Sequence, residues 1–288
     1  VRIISNSEVT AYNECKRRHW YQYQQELQPR TYGMALTRGI IGHAALEIFY
    51  REIVEGASVD YAKKGALDVI DKAMRKSIEL NPGDFDRIKM LTELSQLIEA
   101  YCEVYRTDEF QVIAVEQVYT APVVEGIKYG MKLDLLVEMI KGPYRGDLVI
   151  YDHKFIYNFK SEEEWSIDGQ LPKYIRTVNA SGHYVTKGVF NQIRYRSLKS
   201  PNPDDIFRRQ WMKPSADAKE GIWQEQIDAS VEIANNPAAP RRTLSPLVCK
   251  NCYFLEPCRT ELNGGDITTM VKVHYEPLVD RYLDWTGD

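Results

Sequence analysis

The sequence predicts a mixed α/β or α+β domain with a helical insertion near its front. Three observations carry that expectation. Apolar residues recur at helical spacing through most of 38–106. Between 110 and 155 the pattern changes to runs rich in Val, Ile, Leu and Tyr that are broken by turn residues. A helix-like and then a strand-like segment follow, up to residue 196.

The first helix is expected over 38–55, where Ile40, Ile41, Ala44, Ala45, Ile48 and Phe49 share a face. A second covers 60–80 and stops at Asn81-Pro82-Gly83. The third, over 85–106, repeats the spacing with Ile88, Leu91, Leu94, Leu97, Ile98, Tyr101 and Tyr105. Strands are expected over 110–118, 127–139 and 147–155. The connections Pro122-Val-Val-Glu-Gly126 and Lys141-Gly-Pro-Tyr-Arg-Gly146 are short, so neighbouring strands should pair antiparallel. A helix over 167–180 tolerates Pro172 only in its first turn, and 185–196 reads as a further strand. No internal repeat or low-complexity linker interrupts the chain. Residues 1–288 are therefore expected to form one domain, with 44–108 as the helical insertion and 109–200 as the core sheet and helix.

Composition narrows the function. The chain has 288 residues, 44% hydrophobic and 27% charged, which suits a soluble globular protein and not a disordered one. No apolar stretch approaches the roughly 18 residues of a membrane span. The opening Val1-Arg-Ile-Ile-Ser-Asn-Ser lacks the apolar core of a signal peptide, so a cytoplasmic location is expected. A net charge of −4 speaks mildly against a protein that coats nucleic acid, but the charge is segregated. Residues 31–169 hold 16 basic against 24 acidic residues, whereas 170–260 hold 14 against 8. A local basic surface is what phosphate binding requires.

The most informative stretch is Gly130-Met-Lys-Leu-Asp134 followed by Ile150-Tyr-Asp152-His-Lys154. Asp152 and Lys154 lie two apart on a strand and share a face. A hairpin centred on Pro143 sets Asp134 opposite Asp152, where bare like charges destabilise the pair. A divalent cation between them removes the conflict. Two carboxylates and an ammonium around such a cation suit metal-assisted phosphodiester hydrolysis. Upstream, Gly39-x-x-Gly42-His43 lies on the first helix, its glycines permitting close backbone approach while His43 turns inward. Downstream, Gln170 and Tyr174 stand at i and i+4 on one helical face.

The order Gly39 to His43, Asp134, Asp152-x-Lys154, Gln170-x-x-x-Tyr174 resembles the RecB-type branch of the PD-(D/E)xK nuclease superfamily, with Met131 where the motif carries glycine. The resemblance implies a restriction-endonuclease-like core, a mixed central sheet flanked by helices. It also implies His43, Asp134, Asp152 and the His153 carbonyl as ligands of Mg2+ or Mn2+, with Asp134, Asp152 and Lys154 catalytic. Gln170 and Tyr174 would contact DNA, and Glu116, expected at the end of the first strand, is a candidate for the acidic residue some members add.

The five cysteines are too few and too odd in number for a disulfide framework. Cys102, inside an amphipathic helix, reads as a packing residue. Cys249-x2-Cys252-x5-Cys258 and the distant Cys15 leave four thiolates for zinc or an iron–sulfur cluster. One cysteine before a nuclease core and C-x2-C-x5-C after it resembles the iron–sulfur nucleases of the AddB and CRISPR-associated exonuclease type. Ser5-x-Ser7-x4-Tyr12-x2-Cys15 resembles their opening motif. The implied cofactor is a 4Fe-4S cluster that staples residues 1–30 to 241–262.

The expected function is a metal-dependent DNA exonuclease acting on single strands or ends in recombination or repair, in a phage or mobile-element setting. The alternative is a DNA-end-binding or scaffold subunit of a larger nuclease assembly. The tail 267–288, with His274, Tyr275, Tyr282 and Trp285, is a candidate surface for a protein partner or for packing on the core. Nothing in the sequence sets the oligomeric state.

Overall fold

A computed structural model describes residues 1–196, 202–235 and 241–278. In chain order the elements are β1 (Arg2–Ser5), α1 (Asn6–Glu14), α2 (Lys16–His19), β2 (Leu27–Pro29), α3 (Met34–Val54), α4 (Val59–Leu80) and α5 (Phe85–Val104). Next come β3 (Phe110–Val124), β4 (Ile127–Met139), β5 (Leu148–Ile156), α6 (Glu162–Ser166), α7 (Gln170–Ala180) and β6 (Val185–Arg194). The remainder is α8 (Pro203–Ile206), β7 (Phe207–Met212), α9 (Ala216–Asn235), α10 (Pro246–Cys249), α11 (Leu255–Leu262), α12 (Thr268–His274) and β8 (Tyr275–Pro277). A π-helical turn, Trp20–Gln24, follows α2.

The chain divides into two compact units, the first made of 1–32, 120–131 and 221–288, the second of 33–119 and 132–220. The second unit holds a mixed sheet. β4 and β5 are antiparallel, β5 and β6 parallel, and β6 and β7 antiparallel, while β3 also pairs with β4. The pairing Leu135↔Tyr151 through Glu138↔Leu148 is the register expected from a turn centred on Pro143. Extended by one position, it sets Asp134 opposite Asp152.

Helices cover both faces of that sheet. On one side α3, α4 and α5 bury Leu46, Phe49, Ala62, Ala66, Ile70, Leu91, Leu94 and Ile98 in a single core with Leu135, Val137, Val149, Tyr151, Val189 and Ile193. Each large side chain fully buried there contributes about 1.5–3 kcal/mol. Ser58 and Asp84 start α4 and α5 by accepting the Tyr61 and Arg87 backbone N–H groups, at 3.3 and 3.1 Å. On the other side Trp165 of α6 stacks on Phe190, ring centroids 4.1 Å apart, and Leu171 of α7 lies over Gly188, where a Cβ would collide with it. Cys102 is buried in the first core, as expected of a packing residue.

The first unit joins the early and late parts of the chain. β1 runs parallel to the start of β4, Arg2↔Ile127 to Ser5↔Gly130. Ile4, Val9 and Tyr12 form a small core with Ala229 and Ile233 of α9. β2 pairs antiparallel with β8, and Phe254 stacks between Tyr21 and Tyr275 at 5.2 and 5.3 Å. Arg17 and Tyr21 both hydrogen-bond Glu261. Among the described residues no helix is long and apolar enough to cross a membrane. Tyr282 and Trp285 lie outside the described residues.

Three expectations change in detail. The strand expected to end at 118 continues to Val124, because only Glu125 and Gly126 are needed for the reversal and Gly126 supplies the positive φ of 77°. Glu116 therefore sits inside β3 and not at its end. The helix expected from 167 begins at Gln170, which keeps Pro172 in the first turn.

Candidate active site

The second unit brings together His43, Glu116, Asp134, Asp152, Lys154, Gln170 and Tyr174. His43 comes from the middle of α3, the acids and lysine from β3, β4 and β5, and the amide and phenol from α7. α3 lies close to the sheet because Gly42 has no side chain: a Cβ there would fall inside the Phe155 ring. Gly39, by contrast, faces open space, so only the second glycine of the pair is required by packing.

One oxygen or nitrogen from each of His43, Glu116 and Asp134 lies within 4.8 Å of the others, the spacing of ligands around one cation. His43 Nδ1 is 3.4 Å from Asp134 Oδ1. The other oxygen of Asp134 accepts the His153 backbone N–H at 2.6 Å, which fixes the carboxylate. Glu116 adopts the left-handed region, φ 48°, a conformation a glutamate rarely takes, and its carboxylate pairs with Lys132 Nζ at 2.6 Å. That strain is local to the site.

Asp152 lies beside this trio in a different set of partners. Its Oδ2 is 2.7 Å from Lys154 Nζ, and its Oδ1 accepts from Gln170 Nε2 at 3.0 Å. Gln170 also accepts Lys154 Nζ at 2.8 Å and donates to Tyr174 Oη at 2.7 Å. The i, i+4 pair on α7 is thus turned toward Asp152 and Lys154, and Tyr174 is buried.

His153, between them on β5, points to the opposite face. Its ring is buried, stacks on Tyr50 at 5.8 Å, and meets Asn191 Nδ2 at 2.8 Å through Nδ1. Asn191 donates also to Tyr101 Oη, which bonds Tyr50 Oη, each at 2.8 Å. Tyr50 Oη donates in turn to Asp108, which pairs with Arg209 at 2.6 Å. A buried polar chain therefore runs behind the strand that carries Asp152 and Lys154. Sequence patterning gave no sign of it, because its members are scattered over 50–209 and look like ordinary core or surface residues.

The electrostatics follow from three carboxylates and a histidine in a confined space. Burial pushes the Glu116 carboxyl up, and the Asp134 charge adds to this, to about 7. Burial likewise raises Asp152 to about 6, against the pull of Lys154. Asp134 is also desolvated, but His43, His153 and Lys154 hold it well below the usual carboxylate range. Burial lowers the His43 imidazole, yet Asp134, Glu116 and Asp152 outweigh it and the net shift is upward. Such opposed shifts in one cluster suit a site that can hold a cation.

The cysteines gather in the first unit. Cys15 closes α1, Cys249 ends α10, and Cys252 and Cys258 lie in and after the next turn. All four line one small cavity together with Arg17, Arg18 and Arg242. Cys15 Sγ accepts the Thr243 N–H at 3.4 Å, and Cys258 Sγ accepts from Arg242 Nε at 3.2 Å. Cys249 Sγ donates to the Thr243 carbonyl at 3.3 Å. Among the described residues the trio of His43, Glu116 and Asp134 is the one set of three ligand atoms within 4.8 Å, and the four thiols meet as the lining of this cavity. Ser5 of the opening motif caps α1 by accepting the Glu8 N–H at 3.1 Å.

A search of curated protein sequences returned no match. Among solved structures, one described as "Crystal structure of SSO0001" is similar at 12% identity, covering 63% of this chain and 77% of its own, with a TM-score of 0.33. The family model described as "PD-(D/E)XK nuclease superfamily" matches residues 3–259. That match spans most of the chain and includes every residue of the constellation above: the chain belongs to the PD-(D/E)XK nuclease superfamily.

Proposed function

We propose that this nuclease is a Mg2+- or Mn2+-dependent deoxyribonuclease that degrades single strands or processes DNA ends. The convergence of His43, Glu116 and Asp134 beside the Asp152–Lys154 pair carries the reading. His43, Asp134 and Asp152 would hold the cation, with the His153 carbonyl as a further ligand, and Glu116 extends that set. The cation would supply a polarised phosphate and a water of lowered pKa.

The protein's own groups do the rest. Lys154, charged beside Asp152, stands ready to stabilise the developing negative charge on the phosphate. Gln170 holds both of them in place, and Tyr174 holds Gln170. The pair's expected contact with DNA is thus joined by a positioning role. Lys132, on the rim, neutralises Glu116 when no cation is bound.

In the same reading a 4Fe-4S cluster on Cys15, Cys249, Cys252 and Cys258 staples 1–30 to 241–262, and 44–108 is a helical insertion in a core of 109–200. The shared lining of one cavity by the four thiols, with donors to Cys15 and Cys258, supports a common metal centre, and the resemblance makes it the cluster. Iron and sulfide analysis of anaerobically purified protein tests this half. About four of each per chain is expected, and zinc without sulfide would overturn it. Cleavage of 5′- and 3′-labelled single-strand, duplex and circular DNA tests the other half. Loss of linear but not circular DNA is the expected result, and cutting of circles would replace the exonuclease reading with an endonuclease.

A further inference from the structure

Beyond Lys154 the sheet carries a second array of side chains that the chemistry above does not use. β5 and β6 run in register, with Lys154 opposite Gln192 and Ile156 opposite Arg194. Alternate strand residues share a face, so Asp152, Lys154, Gln192 and Arg194 project from the same side. Arg208 of β7 lies opposite Gln192 and joins them.

The Phe159 ring lies between two of these guanidiniums, 5.1 Å from that of Arg194 and 4.3 Å from that of Arg208. Past the strand ends, the rings of Tyr157 and Tyr195 approach to 5.9 Å. Arg196 lies 5.7 Å from the Tyr157 ring, and Arg38 of α3 lies 3.9 Å from that of Tyr195. Tyr157 is 54% exposed, so its ring is open to a ligand.

Charge is poorly balanced along this strip. Among the described residues Arg194, Arg196 and Arg208 have no carboxylate partner, and Arg38 has only Glu93 at 4.0 Å. The Nε atoms of Arg38 and Arg194 are buried without a hydrogen-bond acceptor among the described residues. The outer nitrogens of these guanidiniums are the ones an arriving phosphate would meet.

Single-stranded DNA offers both complements at once, phosphates for the guanidiniums and flat base faces for the rings. A duplex keeps its base faces stacked inside and offers only the phosphates. Tyr157 stands three residues past Lys154, about 10 Å along an extended strand, which is roughly three nucleotides of a stacked chain.

We propose that Arg38, Tyr157, Phe159, Arg194, Tyr195 and Arg208 form a subsite that grips single-stranded DNA a few nucleotides from the scissile phosphate. The inference rests on the nuclease reading for what it feeds, but not for whether it binds. It makes the enzyme selective for single strands or frayed ends through stacking, while the catalytic cluster itself stays indifferent to strandedness.

The test uses fluorescence polarisation of the full chain, without divalent cation, on a labelled dT12 and on a blunt 20-base-pair duplex. The double variant Tyr157→Ser, Tyr195→Ser and the variant Arg194→Gln are compared with wild type, with circular dichroism confirming that each is folded. Wild type should favour dT12, and the tyrosine variant should bind it roughly 5- to 100-fold more weakly with duplex binding changed less than about twofold. Hydrolysis of bis(p-nitrophenyl) phosphate, too small to reach the strip, should stay at the wild-type rate. Unchanged dT12 binding, or equal losses on dT12 and duplex, would overturn the subsite and leave the nuclease reading standing. Conversely, a wild type that hydrolyses neither DNA nor the small ester but loses dT12 binding in the variants would remove the nuclease reading and keep the subsite.

Discussion

The metal site should release protons when it is loaded, and the amount can be worked from its geometry. In the metal-free protein burial and neighbouring charge hold Glu116 at about 7 and Asp152 at about 6, and His43 is raised above its ordinary value. A cation needs the carboxylates ionised and the imidazole neutral. At pH 7 the Glu116 carboxyl is then about half protonated and Asp152 about one-tenth, and the upward-shifted His43 adds to them. The two carboxyls alone release about 0.6 proton per cation at pH 7, falling toward zero above pH 9. The sign is fixed: protons and metal compete for the same atoms, so affinity rises with pH. Between pH 7.5 and 6.0 the two carboxyls alone should weaken it about 15-fold, and His43 acts in the same direction. Titration calorimetry with Mn2+ in buffers of different ionisation heat measures both quantities. Glu116→Gln should remove about half of the proton release at pH 7. An affinity that stays within twofold between pH 6.0 and 7.5, with no dependence on buffer, would refute the assignment of these side chains as ligands.

Other outcomes follow from the same contacts. Lys154→Met should keep Mn2+ affinity, because it removes a competing cation from Asp152, yet lower the cleavage rate by roughly 10²–10³-fold in single-turnover assays. Gly42→Ala forces a methyl into the Phe155 ring and should cost about 1–3 kcal/mol in urea titrations. Gly39→Ala, facing open space on the same helix, should gain about 0.5–1 kcal/mol. Asn191→Leu breaks the bonds to His153 and Tyr101 and should cost about 1–3 kcal/mol in the same titration. The proposed 4Fe-4S cluster would give the purified protein a broad visible absorption, which Cys252→Ser should abolish and Cys102→Ser should retain.

Much of the catalytic architecture is legible in the sequence because it depends on period and spacing. Helical recurrence of Leu91, Leu94 and Ile98 and strand patterning around Asp134 and Asp152 placed α3–α5 and β4–β5 within a few residues of their observed bounds. A single turn residue, Pro143, was enough to set the register that pairs Leu135 with Tyr151 and so brings the neighbouring Asp134 and Asp152 together. What the sequence hid depends on three-dimensional context. Glu116 reaches the cluster through a left-handed backbone conformation that no local pattern announces. β1, β2, β7 and β8 are strands of three to six residues, too short to show a period. The polar chain from His153 to Arg209 contains partners that lie 90 or more positions apart, as in Tyr101–Asn191 and Asp108–Arg209. Gln170 is named as a site residue by its motif, but its bonds to Asp152 and Lys154 come only from the fold.

The central claim is that this cluster hydrolyses phosphodiester bonds with a bound cation. Cleavage of end-labelled single-stranded DNA by wild type, Asp152→Ala and Lys154→Ala, each with Mg2+, with Mn2+ and with neither, tests it most directly. Degradation by wild type only when a cation is present, and by neither variant, is the predicted result. Cleavage by Asp152→Ala and Lys154→Ala at the wild-type rate would contradict it.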